Sequence, residues 1–169
     1  MSRVAGRGSP SPASEADRRW LREAIELSRR CPPSDTAYSV GAIIVAGDGT
    51  RLADGYSRDV DPRFHAEESA LAALAGSGGG SAGLADATIY SSLEPCSSRR
   101  SRPRTCTQLI LAAGIGRVVF ALHEPPLLAD CHGAELLGQG GVEVVEIADM
   151  ARLVRDVNAH LLPPGADGG

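Results

Sequence analysis

The sequence predicts an α/β fold, a three-layer α/β/α sandwich around a five-stranded mixed sheet. Three observations carry this reading. Short apolar runs of strand length alternate with runs in which apolar residues recur every three or four positions, the pattern of helices laid on a sheet. The first two strand-like runs are joined by the tight turn Gly47-Asp48-Gly49, which suits antiparallel neighbours. Roughly twenty residues, with a helix-like run among them, separate the last two strands, enough for a crossover between parallel neighbours.

Residues 1–15 are rich in Ser, Gly, Pro and Arg with almost nothing to bury and read as a disordered tail, as do residues 163–169; the domain is expected over residues 16–162. Trp20, Leu21, Ala24, Ile25, Leu27 and Ser28 recur at helical spacing, and Pro32-Pro33 ends that helix. Val40 to Val45 is a continuous apolar strand, and Arg51 to Ser57 is its antiparallel partner. His65 to Ala75 reads as a helix, stopped by the Gly-Ser tract at 76–83. That tract lacks the Gly-Lys-Ser/Thr ending of a phosphate-binding loop and is read as a flexible connection. Thr88 to Ser91 is strand-like, and Thr105 caps a helix running to Ala113, which Gly114 terminates. Val118 to Leu122 forms a strand, Ala134 to Leu137 a short helix, Val142 to Ile147 a strand and Met150 to Leu161 a last helix.

Two blocks of the chain belong together. His65-Ala66-Glu67 opens a helix-like run, and Pro95-Cys96 is followed by Cys106. One imidazole and two thiolates form a soft nitrogen-sulfur set that suits zinc, and three protein ligands leave a fourth position for water, as in a catalytic site. Glu67 is two residues from His65, so the two do not share a helical face, and its carboxylate is placed to move protons rather than to ligate. His65 and Cys106 fall at the starts of two helices, where positive partial charge favours a thiolate and other anions. The set can also be read as a structural zinc site in an interaction module, with Cys31, Cys131 or His132 as a fourth ligand and no task for Glu67.

Composition narrows the function. A chain of 169 residues suits one domain with a sizeable core. A net charge of -4 argues against nucleic-acid binding as the main task, and an aromatic content of 4% argues against a stacking groove for single strands. A small molecule is the expected partner. No stretch approaches the ~18 apolar residues of a membrane span, and the first residues lack the apolar core of a secretory signal, so a cytoplasmic location is expected.

The His-x-Glu and Pro-Cys halves resemble the signature of the zinc deaminases, although the second cysteine lies farther away than in Pro-Cys-x-x-Cys. More broadly the chain resembles the cytidine-deaminase-like superfamily, and within it the pyrimidine deaminase domain of riboflavin biosynthesis. The resembling text is Val40-Gly41-Ala42-Ile43-Ile44-Val45, His65-Ala66-Glu67 with Ala70-Leu71, Leu93-Glu94-Pro95-Cys96-Ser97 and Ala112-Ala113-Gly114-Ile115-Gly116-Arg117-Val118-Val119. It continues through Gly133-Ala134-Glu135-Leu136-Leu137 and Gly141-Val142-Glu143-Val144, roughly residues 17 to 162. The riboflavin deaminases also place a long, Pro-containing insert before the second cysteine, whereas nucleoside and transfer-RNA deaminases keep the short spacing.

The resemblance implies a cytidine-deaminase-like fold and hydrolytic deamination of an aminopyrimidine, with zinc on His65, Cys96 and Cys106, Glu67 as proton carrier and no organic cofactor. It implies that backbone groups near Ala66 and Pro95 orient the substrate ring, that copies of the chain self-associate, and that any reduction is left to a separate reductase. The riboflavin intermediate carries a ribose phosphate, and Arg99, Arg100, Arg102 and Arg104 lie between the two cysteines, where they either hold that phosphate or form a solvated charged loop. The alternative substrate is a cytosine nucleoside or nucleotide such as cytidine, deoxycytidine or dCMP. Two departures bear on this choice: the riboflavin deaminases resemble Asn-Pro-x-Val-Gly where this chain has Ala37-Tyr38-Ser39-Val40-Gly41, and His-Ala-Glu-x-Asn where it has Ser69 in the last place. Cys31, Cys131, His123, His132 and His160 receive no role, and Tyr38 and Phe64 are read as packing residues.

Overall fold

The computed structural model describes residues 12–78, 83–99, 102–125 and 131–162. Five strands, β1 (Gly41–Val45), β2 (Arg51–Tyr56), β3 (Thr88–Leu93), β4 (Arg117–Leu122) and β5 (Glu143–Glu146), form one sheet in the order β2-β1-β3-β4-β5. β1 runs antiparallel to β2 and β3, whereas β3, β4 and β5 run parallel, so the sheet is mixed as expected. Helices α1 (Glu15–Leu27) and α5 (Ala151–Val157) lie together on one face, with α1 against β1 and β3. On the other face, α2 (Ala66–Gly76) covers β2 and β1, α3 (Cys106–Ala113) packs beside α2, and α4 (Gly133–Gln139) packs beside α3.

The sandwich explains the strand patterns. β1 and β3 are buried at every position, which is why β1 reads as a continuous apolar run, while the edge strand β2 is exposed or half-buried at most positions. Ile43, Ile44, Ile89, Ile110, Val118, Val119 and Phe120 are almost completely buried and form the centre of the core. Gly114 takes the left-handed conformation, φ +78°, that stops α3.

Three boundaries differ from the sequence reading. α1 begins earlier: Ser14, assigned to the tail, caps it in a reciprocal box with Asp17, so the polar residues that bury no apolar surface are the helix start itself. β3 runs on to Leu93 because the buried hydroxyls of Ser91 and Ser92 have partners, Ser92 Oγ accepting the Gly41 N–H at 3.1 Å. α5 ends at Val157 and not at Leu161, since Asn158 leaves the helix to bond the backbone of Ser39. Residues 1–11 and 163–169, residues 79–82 of the Gly-Ser tract and Arg100 lie outside the described residues. Among the described residues no helix is long and apolar enough to cross a membrane.

Candidate active site

Parallel strands in an open sheet deliver their loops to one edge, and the site forms where β3 and β4 end. Glu94, immediately after β3, is buried and anchors three segments: its carboxylate lies 3.1 Å from His123 Nδ1 and accepts the N–H groups of Glu124 at 3.2 Å and Ala134 at 2.9 Å. The Pro95 carbonyl packs so tightly against α4 that a Cβ at Gly133 would stand 1.9 Å from its oxygen. The Cys96 carbonyl accepts the Thr107 N–H at 3.1 Å and the Thr107 hydroxyl at 2.9 Å. With the cap formed by Thr105 and Gln108, these bonds let Cys106 open α3 directly against Cys96. The Cys106 N–H donates to Cys96 Sγ at 3.2 Å, and Cys106 Sγ lies 3.4 Å from Nδ1 of His65, the N-cap residue of α2.

The structure thus brings together His65, Cys96 and Cys106, with one donor atom from each inside a 4.8 Å circle, close enough for a single ion to reach all three. The donor chemistry fits zinc: the ring nitrogen and both sulfurs are directed at one another and sheltered from solvent. The thiols share a proton unequally. Hydrogen bonding from Cys106, only partly offset by burial and reinforced by His65, lowers Cys96 to about 4. The Cys106 thiol, donor in that pair and buried, is pushed up. Burial disfavours the charged form of His65, but the neighbouring Cys96 outweighs it and the imidazole is raised. Among the described residues no fourth ligand joins this group. Cys131 donates instead to the Pro95 carbonyl and Cys31 to the Val40 carbonyl, each at 3.4 Å.

Glu67, two residues into α2, is buried, and burial raises its carboxyl above the usual range. Its Oε1 lies 2.7 Å from Ser91 Oγ, which also lies 2.7 Å from the Leu93 carbonyl. A hydroxyl has one proton and a carbonyl can only accept. An ionised Glu67 therefore takes the Ser91 proton, and a protonated Glu67 donates to Ser91 while Ser91 turns to Leu93. One side chain supports both charge states.

A cleft of about 310 Å³ opens on His65, Glu67 and Cys96, walled by Ala37, Tyr38, Arg58, Phe64 and Glu124 among others. Of the two departures noted in the sequence, only Ala37 faces this cleft; Ser69 is buried beneath β2, where it crowds Gly55. Ala66 and Pro95 are buried beside the ligand group. The arginines behave differently from a free anion-binding loop. Arg99 is 3% exposed at its side chain, pairs with Glu68 at 3.2 Å and donates to the Arg63 carbonyl at 2.6 Å. Arg102 pairs with the other Glu68 oxygen at 3.3 Å and lies 4.8 Å from the centre of the Phe64 ring. Arg104 is exposed, and neither it nor Arg99 nor Arg102 lines the cleft; Arg58 and Arg63 do.

Sequence reasoning missed Arg58, Glu124, Ser91 and the place of Tyr38. Glu124 had a signal, since it follows β4 at the carboxyl end of a parallel strand, where such sheets bind ligands. Burial raises it to about 7. Arg58, held at φ +62° after β2, had none.

Residues 14–122 match the family described as the cytidine and deoxycytidylate deaminase zinc-binding region. The chain is 35% identical over 127 residues, 75% of its length, to the diaminohydroxyphosphoribosylamino-pyrimidine deaminase of Schizosaccharomyces pombe, of which it covers 31%. It is 34% identical over 159 residues, 87% of its length, to the tRNA(Ile)-lysidine synthase of Deinococcus radiodurans, of which it covers 25%. The solved structure of Acinetobacter baumannii RibD, form 2, matches with a TM-score of 0.72 and 28% identity, over 85% of this chain and 38% of that one. The chain spans about a third of the length of the first curated relatives it matches.

Proposed function

Because this chain belongs to the cytidine and deoxycytidylate deaminase zinc-binding family, we propose that it is a zinc-dependent hydrolytic deaminase that releases ammonia from an aminopyrimidine. The carrying observation is the buried carboxyl of Glu67 beside the His65, Cys96 and Cys106 group, with a cleft giving access to both. Those three residues would hold the metal, which when bound supplies a Lewis acid and lowers the pKa of water. Glu67 takes a proton from the attacking water and gives it to the ring nitrogen beside the amino-bearing carbon, then takes the second proton from the hydroxyl now on that carbon and gives it to the amine as the carbonyl forms and the C–N bond breaks. Its raised pKa suits a group that must hold a proton between steps, and Ser91 keeps it oriented in both states. A structural-zinc module would leave this buried acid without work, and among the described residues the metal group has three members and not four.

For the substrate, we propose a pyrimidine ribose phosphate of the riboflavin-pathway type. Support comes from the relatives named as pyrimidine deaminases of that pathway and from the long insert before Cys106. The phosphate would meet the rim formed by Arg63, Phe64 and Arg102, whose guanidinium is partly exposed above the Phe64 ring. Cytosine nucleosides and dCMP form the competing class, in keeping with the family's description. Self-association and a cytoplasmic location remain part of the proposal.

The deciding experiment measures ammonia release from the riboflavin aminopyrimidine ribose phosphate beside cytosine, cytidine, deoxycytidine and their monophosphates, with zinc content determined on the same sample. Turnover limited to neutral bases or nucleosides removes the riboflavin assignment. A zinc-loaded protein without turnover on any of them removes the deaminase reading.

A further inference from the structure

Three tyrosines occur in the chain, and two of them make an instructive pair. Tyr90 and Tyr38 are both buried, at 4% and 8% exposure. The Tyr90 hydroxyl donates to Asp17 at 2.8 Å. The Tyr38 hydroxyl is buried and has no hydrogen-bond partner among the described residues. Keeping a buried hydroxyl unpaired costs a folded protein stability, and native structures contain few such groups.

The backbone around Tyr38 is fixed on every side. Arg58 donates to its carbonyl at 3.2 Å, Asn158 clasps both polar groups of Ser39, Ser57 Oγ accepts the Val40 N–H at 3.1 Å, and His160 Nε2 lies 3.1 Å from the Ala37 carbonyl. The ring is therefore held in the cleft wall by a frame that does not depend on its own hydroxyl, in the same cleft as Glu67 and Cys96. Tyr38 walls the cleft, and its hydroxyl, enclosed and without a bond to the fold, is a polar group that a ligand seated against that wall can satisfy.

We propose that Tyr38 is a substrate-selecting residue, its hydroxyl donating a hydrogen bond to an uncharged oxygen of a pyrimidine nucleoside, either a ring carbonyl or a sugar hydroxyl; this rests on the aminopyrimidine deaminase reading above. The acceptor is uncharged because the cleft already holds the carboxyls of Glu67 and Glu124, beside which an anion would be repelled. Burial and the nearby Glu124 raise the phenol above its ordinary value, so it stays protonated and acts as donor.

The test compares the zinc-loaded wild type with Tyr38→Phe and, as control, Tyr90→Phe. Melting temperature is read without ligand, together with KM and kcat over the aminopyrimidine panel and for 2-aminopyrimidine, which has neither a ring carbonyl nor a sugar. Tyr38→Phe is expected to melt at or above the wild-type temperature, to keep its zinc and to raise KM about tenfold for substrates bearing the oxygen, equivalent to ~1.4 kcal/mol. Binding of 2-aminopyrimidine, followed by competition, should not change. Tyr90→Phe should melt lower with an unaltered KM. Wild-type turnover with unchanged KM in Tyr38→Phe overturns this inference alone, as does a lowered melting temperature without a change in KM. Failure of the zinc-loaded wild type to turn over or bind any pyrimidine in the panel overturns the deaminase reading and this inference together.

Discussion

Asn158 holds Ser39 by both ends of its peptide groups: Oδ1 accepts the Ser39 N–H at 2.7 Å and Nδ2 donates to the Ser39 carbonyl at 3.1 Å. The side chain is fully buried and reaches across 119 positions of sequence. The last helix thus supports the wall of a cleft to which it contributes no lining residue.

Asn158→Ala should therefore damage binding more than chemistry. It strips two partly buried backbone groups of their partner, at a cost of about 1 to 3 kcal/mol each where water cannot replace it. The expected result is a lower melting temperature and a KM raised several-fold with kcat nearly preserved, read by thermal unfolding and steady-state kinetics. A kcat loss with unchanged KM would contradict the supporting role.

Zinc should be bound at about one ion per chain, the stoichiometry of a single three-ligand set. Cys96→Ser, Cys106→Ser and His65→Ala should each lower occupancy in elemental analysis, whereas Cys31→Ser and Cys131→Ser should leave it intact. The ligands come from α2, the β3 loop and α3, so a metal ion cross-links distant parts of the chain. Chelation should accordingly lower the melting temperature by several degrees.

Glu67→Gln should retain zinc and fold but lose on the order of 10² to 10⁴ in rate, because the amide cannot carry a proton. Ser91→Ala should cost less, roughly tenfold in kcat, since it loosens the carboxyl without removing it. Glu67→Gln with a wild-type rate would exclude the proton-carrier role.

The arginine loop calls for single substitutions, because Arg99 is buried against Glu68 and its loss would unpair that carboxylate. Arg102→Gln should raise KM for a phosphorylated substrate about tenfold and leave the unphosphorylated counterpart within twofold, with the difference shrinking at high salt. Arg99→Gln should instead lower thermal stability, by about 1 to 2 kcal/mol, with Arg102 still facing Glu68. Equal effects of Arg102→Gln on both substrates would rule out a phosphate contact.

Asp17 sets an acid limit on the fold. Burial alone would raise its carboxyl, but the Arg117 guanidinium at 2.6 and 2.8 Å, the Ser14 N–H and the Tyr90 hydroxyl hold it well below the usual carboxylate range. A depressed folded pKa gives stability that is fully present above the unfolded value of 3.8 and is lost as pH falls below it toward the folded one. Urea melts should show this loss below about pH 4, on the order of 2 kcal/mol for this group. Asp17→Asn should be destabilised at neutral pH and should lack that contribution to the acid slope.

The grouping of His65, Cys96 and Cys106 was legible because its chemistry is carried by residue type, His-x-Glu upstream of Pro-Cys. The sheet was legible because β1 is apolar throughout and the connection from β4 to β5 is too long for a hairpin. The cleft was not. Tyr38, Arg58 and Glu124 meet there from three separate loops, and apart from the place of Glu124 after β4 nothing local distinguishes them from packing or surface residues. The charge of the Arg loop was visible, but its partner Glu68 lies 31 and 34 positions away from Arg99 and Arg102, and ion pairs at that separation leave no periodic trace. Ser14 reads as tail because a helix start is polar by nature.

The two helices that meet at the ligand group begin differently. α3 is closed by the reciprocal Thr105 and Gln108 cap, which fixes Cys106 against Cys96, while α2 begins at His65 with no side-chain cap. Two sulfurs are thus preorganised, and the nitrogen stands on a helix end that is freer to fray. An ion bound here would be captured in an order set by this asymmetry: Cys96 and Cys106, already placed, would receive it first, and His65 would close over it in a second step that also secures the first turn of α2. A cobalt-substituted protein would record that sequence in time, its sulfur charge-transfer absorption rising before the amides of Glu67 and Glu68 gain protection from hydrogen exchange.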